Sequence, residues 1–413
     1  MRTPKVRFKI FNEDWHRVYL KEIADKVNNK NSQDKKLSVL TNSAKEGIVN
    51  QSEFFDREIV TKKNLKNYSL VDVNDFVYNP RISNSAPVGP LKRNKICEGL
   101  MSPLYTVFRF RDSNLFFMEH YFNSNVWHKY MRSIANFGAR SDRMNITTSN
   151  FLNMPIYVPS NEEQQKITSF LTSVDEKINL LTKKKELLEQ YKKGVMQKIF
   201  SQEIRFKNNN GNDFPVWEDV KMGDIIEFLS DYTANGSFAS LKGNVTYYSS
   251  KNHAALVRTT DLEKRQFKPE RFTDRRGYEF LNKTSLFGGE IIMANVGSVG
   301  NVYRTPNKYN GLMTLAPNTY LLKFKSNINE DFIYQLMTRK KFKNLVLSKV
   351  GSSTLKAINK SNLRSINISI PNINEQQKIA EFLSSLDKKI ELVNSQINKT
   401  KEFKKGLLQQ MFV

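Results

Sequence analysis

One stretch of this chain occurs twice, and that repeat limits the possible architecture more than any other feature. Ile156-Tyr-Val-Pro-Ser-Asn-Glu-Glu-Gln-Gln-Lys-Ile167 returns 212 positions later as Ile368-Ser-Ile-Pro-Asn-Ile-Asn-Glu-Gln-Gln-Lys-Ile379. Both copies read as a short strand, a proline stop and a helix start. The apolar pattern that follows keeps the same offset. Ile167, Leu171, Val174, Ile178, Leu181, Lys185, Leu188, Lys192, Val195 and Ile199 are spaced by alternating fours and threes. Their counterparts are Ile379, Leu383, Leu386, Ile390, Val393, Ile397, Thr400, Lys404, Leu407 and Met411. A seam sustained over so many heptads predicts two long helices that satisfy each other by pairing antiparallel. At ~1.5 Å per residue, each would span about 57 Å, a spacer and not a domain element. Lys185, Lys192 and Lys404 interrupt the seam, with stems long enough to snorkel out or a role in setting register.

A second repeat precedes each globular region. Val6-Arg7-Phe8 with Trp15 and Ile23 corresponds to Ile204-Arg205-Phe206 with Trp217 and Ile225. The first helix runs through Phe200 into the second copy of this segment, so the C-terminal helix is expected to end beside the first copy. The predicted fold is therefore α+β: two similar globular domains separated by two long helices paired as an antiparallel coiled coil, in a pseudo-two-fold circular organisation. The expected boundaries are 1–158 and 201–370 for the domains, with 159–200 and 371–413 for the spacer helices.

Flanking the seam, Phe170, Leu180 and Tyr191 match Phe382, Leu392 and Phe403, widening the apolar face beyond a two-stranded seam. Either the chain's own domains cover these residues or partner helices dock there. The helix-pairing set is Ile167, Leu171, Val174, Ile178, Leu181, Leu188, Ile379, Leu383, Leu386, Ile390, Val393 and Ile397.

Composition narrows the partners. The chain has 413 residues, 39% of them hydrophobic and 28 of them Phe, enough apolar mass for two cores. Lys plus Arg outnumber Asp plus Glu by 65 to 41, a formal charge of +24, which favours a polyanion, nucleic acid first and an anionic membrane surface second. No apolar run reaches the ~20 residues needed to cross a bilayer and the N-terminus lacks a signal-peptide core, so the expected compartment is the cytoplasm. One cysteine and four histidines offer no metal-ligand spacing, and no metal is expected.

The pseudo-two-fold matches duplex DNA, with one half-site for each domain. Because the two domains share few residues, they are expected to read different sequences, giving an asymmetric two-part target with an unread spacer. Candidate DNA contacts are Arg81, Lys92, Arg93, Arg140 and Arg143 in the first domain, and Asn295, Arg304, Ser353 and Lys356 in the second. No catalytic residue is assigned. A self-contained adenine methyltransferase would need an Asn-Pro-Pro-aromatic loop, which Asn79-Pro80-Arg81 lacks, and Gly297-Ser-Val-Gly300 is too short for a phosphate loop. An RNA-binding adaptor is the other alternative.

Taken together, the Arg-Phe…Trp segments, the Ile-x-x-Pro…Glu-Gln-Gln-Lys-Ile motifs and the Lys-Lys-Gly endings at Lys192–Gln197 and Lys404–Gln409 resemble the specificity subunits of type I restriction-modification systems. The resemblance covers nearly the whole chain. It implies two target recognition domains and conserved helices that bind two methyltransferase subunits, with restriction subunits recruited to the assembly. S-adenosylmethionine, ATP and Mg would serve those partner subunits, and this chain would bind none of them. The resemblance also implies that the chain selects the site without catalysing.

Overall fold

The computed structural model describes residues 3–54, 62–136, 142–264, 267–351 and 356–413. It divides into two compact units: Met1–Lys185 with Val393–Val413, and Glu186–Leu392. The two long helices are Asn161–Phe200 and Ile373–Gln410. Each unit thus holds one globular domain, the start of the helix that follows it and the end of the other helix.

The two domains have one topology. In unit 1 an antiparallel sheet runs in the order Ala24–Lys26, Thr106–Phe110, Phe76–Tyr78, Leu91–Arg93; in unit 2 the order is Ile226–Asp231, Thr319–Phe324, Ile291–Ala294, Val302–Arg304. The second sheet runs Gly47–Asn50, Val39–Ser43, Gly99–Met101, Ser69–Val71, matched by Phe272–Thr273, Ala254–Val257, Leu312–Leu315, Ser285–Leu286. In each case the two central strands of this second sheet are parallel. A two-stranded ribbon, His16–Tyr19 with Pro155–Val158 or Glu218–Lys221 with Asn367–Ile370, closes each domain just before its long helix.

The repeated motifs have repeated physical causes. Ser160 and Asn372 cap the long helices, accepting from the backbone N–H of Glu163 and Glu375. Those two carboxylates are buried, at 1% and 0% side-chain exposure, and each is held by the guanidinium of the upstream Arg-Phe segment. Arg7 donates to Glu163 at 2.8 and 2.7 Å, and Arg205 to Glu375 at 3.2 and 2.6 Å. The next glutamine folds back onto the proline carbonyl, Gln164 on Pro159 at 3.1 Å and Gln376 on Pro371 at 2.8 Å. A buried charge with a bidentate partner tolerates little change, which accounts for the persistence of these residues in both copies.

Each long helix ends against the domain that precedes the other. Phe200 packs on Trp217 with ring centroids 6.1 Å apart, and Phe412 packs on Trp15 at 6.3 Å. Equivalent backbone bonds close the joint, Ile204 N–H to Lys198 O at 3.2 Å and Val6 N–H to Gln410 O at 3.0 Å. This is the circular arrangement expected from the offsets.

Within each unit the helix segments pair through the expected seam. Ile167, Leu171, Val174, Ile379, Leu383, Leu386, Val393 and Ile397 are buried, whereas Ile178, Leu181, Leu188 and Ile390 are half-buried. The interrupting lysines have partners. Lys404 bonds both oxygens of Asp175 at 2.5 and 2.6 Å, and Lys192 bonds both oxygens of Asp387 at 2.6 and 2.7 Å. The two pairs are equivalent with the helices' roles exchanged, so each pins the same register in its own unit.

Beside these pins the units differ by one buried group. Gln335 donates to Asp387 at 2.9 Å, and His120 stands at the equivalent place in unit 1. Burial, reinforced by the Lys404 charge, pushes His120 down to about 4, so it is neutral in the fold. Its contribution to stability is complete above the unfolded value near 6.5 and is lost as pH falls toward 4. His120→Gln, which copies unit 2, is therefore expected to remove on the order of 2 kcal/mol of acid sensitivity, read from urea unfolding at pH 7 and pH 4.5. Equal pH slopes for both proteins would refute this.

Candidate nucleic-acid interface

In each domain the loop after the Phe76–Tyr78 or Ile291–Ala294 strand meets the segment leading to the last short helix. An isolated bridge joins Arg81 to Arg143, and the equivalent bridge joins Val296 to Ala357. Parallel hydrogen bonds reinforce them, Met144 N–H to Pro80 O and Ile358 N–H to Asn295 O, both at 3.0 Å. Arg81 and Arg143 are thereby brought together, while in unit 2 the bridged positions are Val296 and Ala357, with Asn295 and Lys356 each one residue earlier; the Lys356 carbonyl accepts from Gly297 at 3.3 Å. Arg81 and Lys356 are exposed; Arg143 and Asn295 are half-buried.

The loops are held rigidly enough to present these groups. Asn79 accepts from the Arg81 N–H at 3.0 Å and donates to Asn42 O at 3.1 Å, while Asn42 donates to Val77 O and Pro90 O. Gly89, at φ +81°, passes so close that a Cβ would lie 2.1 Å from Asn79 O. In unit 2 the turn is made by Gly297 and Gly300 at φ +76° and +81°, and Lys343 bonds Asn301 at 2.6 Å.

Other candidates are already engaged. Arg93 and Arg304 occupy equivalent strand positions, opposite Phe76 and Ile291. Arg93 lies 4.5 Å over the Phe116 ring and bonds Asn74; Arg304 lies 4.8 Å over Tyr334 and pairs with Asp331. Both brace the neighbouring helix, Leu115–Asn123 or Glu330–Met337. Lys92 turns inward to Asn123 at 2.6 Å, and burial lowers its pKa. Arg140 and Ser353 lie outside the described residues.

Two aromatic residues not singled out in the sequence stand near Asn295. Phe238, 82% exposed, and Tyr247, 50% exposed, line a cavity of about 560 Å³ with Asn295, Asn318 and Lys242. An exposed ring beside polar and basic groups suits stacking on a base. The only available sequence signal was an aromatic residue inside the turn-rich Asn235-Gly-Ser-Phe238 stretch.

The apolar flanks of the helices divide into two groups. Phe170 and Phe382 are covered by the chain itself, against Phe8 at 5.8 Å and Phe206 at 5.7 Å. The reason is that the Arg-Phe segments lie over the helix starts. Leu180, Tyr191, Leu392 and Phe403 are between 53% and 70% exposed. Among the described residues no cluster of His, Cys, Asp and Glu is placed to hold a metal ion, and no helix is long and apolar enough to cross a membrane.

A duplicated basic two-sheet domain, each copy carrying a rigid loop with exposed cations and joined to paired helices, defines a class of tandem recognition protein. A family model described as "Type I restriction modification DNA specificity domain" matches residues 12–190 and 216–402, and the chain belongs to that family. Among curated proteins it is 25% identical over 306 residues to the MjaX type I restriction enzyme specificity subunit of Methanocaldococcus jannaschii, covering 71% of this chain and 65% of that one. It is also 25% identical over 282 residues to the MjaVIII specificity subunit of the same organism, covering 62% and 61%. The chain thus spans just under two thirds of the length of these relatives. The fold is shared with the type I S subunit from M. genitalium, at TM-score 0.54 and 15% identity over 100% of this chain and 99% of that one. It is shared too with a chain from a study of assembly and conformational transition in a type I R-M system, at TM-score 0.57 and 13% identity over 96% and 97%.

Proposed function

We propose that this chain is the site-selecting, non-catalytic specificity subunit of a type I restriction-modification assembly in the cytoplasm, and that it reads an asymmetric, two-part duplex target. The observation that carries this reading is the pairing of one backbone frame with two different sets of groups. The bridges place Val296 and Ala357 of unit 2 at the positions of Arg81 and Arg143, and the unit 2 candidates Asn295 and Lys356 each sit one residue before their bridged neighbour. An arginine fork suits guanine in the major groove, whereas an asparagine suits adenine, so one loop frame carrying different side chains would read unlike half-sites. The stretch between half-sites contributes only through its deformability.

The helices would carry two methyltransferase subunits on their exposed apolar residues, Leu180 and Phe403 in unit 1 and Tyr191 and Leu392 in unit 2, and restriction subunits would join that assembly. Adenine methylation from S-adenosylmethionine, on a base taken out of the stack, then belongs to the methyltransferase partners. ATP and Mg belong to the restriction partners.

A gel-shift series over rising salt, comparing duplex DNA, RNA and heparin with and without a co-expressed methyltransferase, tests the reading. Duplex selectivity in the complex is expected; a preference for RNA, or no selectivity, would reject it. Arg81→Ala or Arg143→Ala is expected to relax one half-site, and Asn295→Ala the other, by about 1–3 kcal/mol for a base contact. A substitution that merely removes a phosphate contact would instead weaken all sequences alike and reduce the salt slope by about one.

A further inference from the structure

Beyond the register pins at Lys192 and Lys404, the Lys-Lys-Gly endings of the long helices have no role in the reading above, yet each forms one wall of a cavity. In unit 1 the helix end contributes Lys405, Leu408 and Gln409, faced by Lys92, His128 and Arg132 across a space of about 680 Å³. In unit 2 the equivalent positions, Lys193, Met196 and Gln197, face Arg339, Lys340 and Lys341 across a space of the same volume. Both cavities therefore use the same helix positions and the same side of the domain, although the domain residues differ.

Charge and apolarity coincide in both. No acidic residue lines the first cavity. Glu189 and Asp387 line the second, but Asp387 is already paired with Lys192. Carbon surfaces form the rest, with Trp127 and Leu408 in the first and Met196 and Ile390 in the second. A phosphodiester gains nothing from such walls, and a stiff duplex lays phosphates along a surface instead of pushing them into a concavity. A short peptide segment does fill a space of this size, within the ~300–1,000 Å³ usual for pockets that enclose a ligand. Its carboxylates would meet the lysines while its apolar side chains cover the carbon.

We propose that each cavity receives an acidic, partly apolar segment of the methyltransferase subunit carried by the helices, one segment per unit, with the first cavity the stronger site because no carboxylate opposes the ligand there. The proposal rests on the partner assignment under Proposed function.

The test uses the full chain co-expressed with its methyltransferase subunit, carrying a photo-crosslinking phenylalanine analogue at Gln197 or Gln409, with duplex DNA present. Crosslinks to an Asp/Glu-containing peptide of the methyltransferase are expected from both positions. Lys193→Glu and Lys405→Glu should each weaken partner binding at least about fivefold, the second more than the first, while the complex that still forms keeps its half-site preferences. Crosslinks to DNA, crosslinks to neither macromolecule, or charge reversals that change partner affinity less than twofold would overturn the proposal and leave the DNA-reading function standing. If the unaltered chain binds no methyltransferase subunit at all, the partner assignment itself fails, and this proposal with it.

Discussion

Arg205→Ala is expected to destabilise unit 2 by roughly 3–5 kcal/mol, the usual cost of leaving a buried carboxylate without its partner. Glu375 has no exposed side-chain surface, and Arg205 supplies both of its guanidinium bonds while also donating to Pro215 O at 2.6 Å. Arg7→Ala should act likewise on unit 1 through Glu163. The cost comes from the orphaned charge, so removing both partners is milder. Arg205→Met combined with Glu375→Met is expected to recover most of the loss. Urea unfolding of the three proteins decides the matter, and a single-mutant cost below about 1 kcal/mol would mean that water already solvates Glu375.

Phe412→Ala is expected to cost unit 1 about 3–5 kcal/mol. Phe412 is 3% exposed, and its ring meets Phe117 at 5.4 Å, Tyr121 at 6.0 Å and Trp15 at 6.3 Å. It is therefore the residue that ties the end of the second long helix to the first domain. Hydrogen exchange should show lost protection in 15–20 and 115–123 while 217–225 stays protected; Phe200→Ala should give the mirror result. Unchanged protection in 115–123 after Phe412→Ala would contradict the circular joint.

The parts of this fold that could be read in the sequence are those where the same chemistry is required twice. A buried Glu needs its Arg, a capped helix needs its Ser or Asn, and a helix seam needs a residue every three or four positions, so these recur at fixed offsets. The common sheet topology was not legible. Its strands are short and many are buried on both faces, as in Ala254–Val257 and Phe76–Tyr78, so they carry no alternation to detect. Lys192 and Lys404 were visible as interruptions, but Asp387 and Asp175 sit outside the seam and become partners only once the register is known. Arg81 and Arg143, 62 positions apart, are joined by a single bridge that no local pattern announces. Arg93 and Arg304 looked as available as any other arginine because an aromatic ring under a guanidinium leaves no mark on spacing.

The proposed pair of unlike readers on one duplicated frame predicts the form of the modified DNA sequence. Methylome sequencing of cells carrying the complete system, before and after deletion of this chain's coding sequence, addresses it most directly. Loss of a methylated motif made of two different short sequences separated by a fixed unspecified gap is the predicted result. A palindromic or uninterrupted motif, or a methylation pattern indifferent to the deletion, would contradict it.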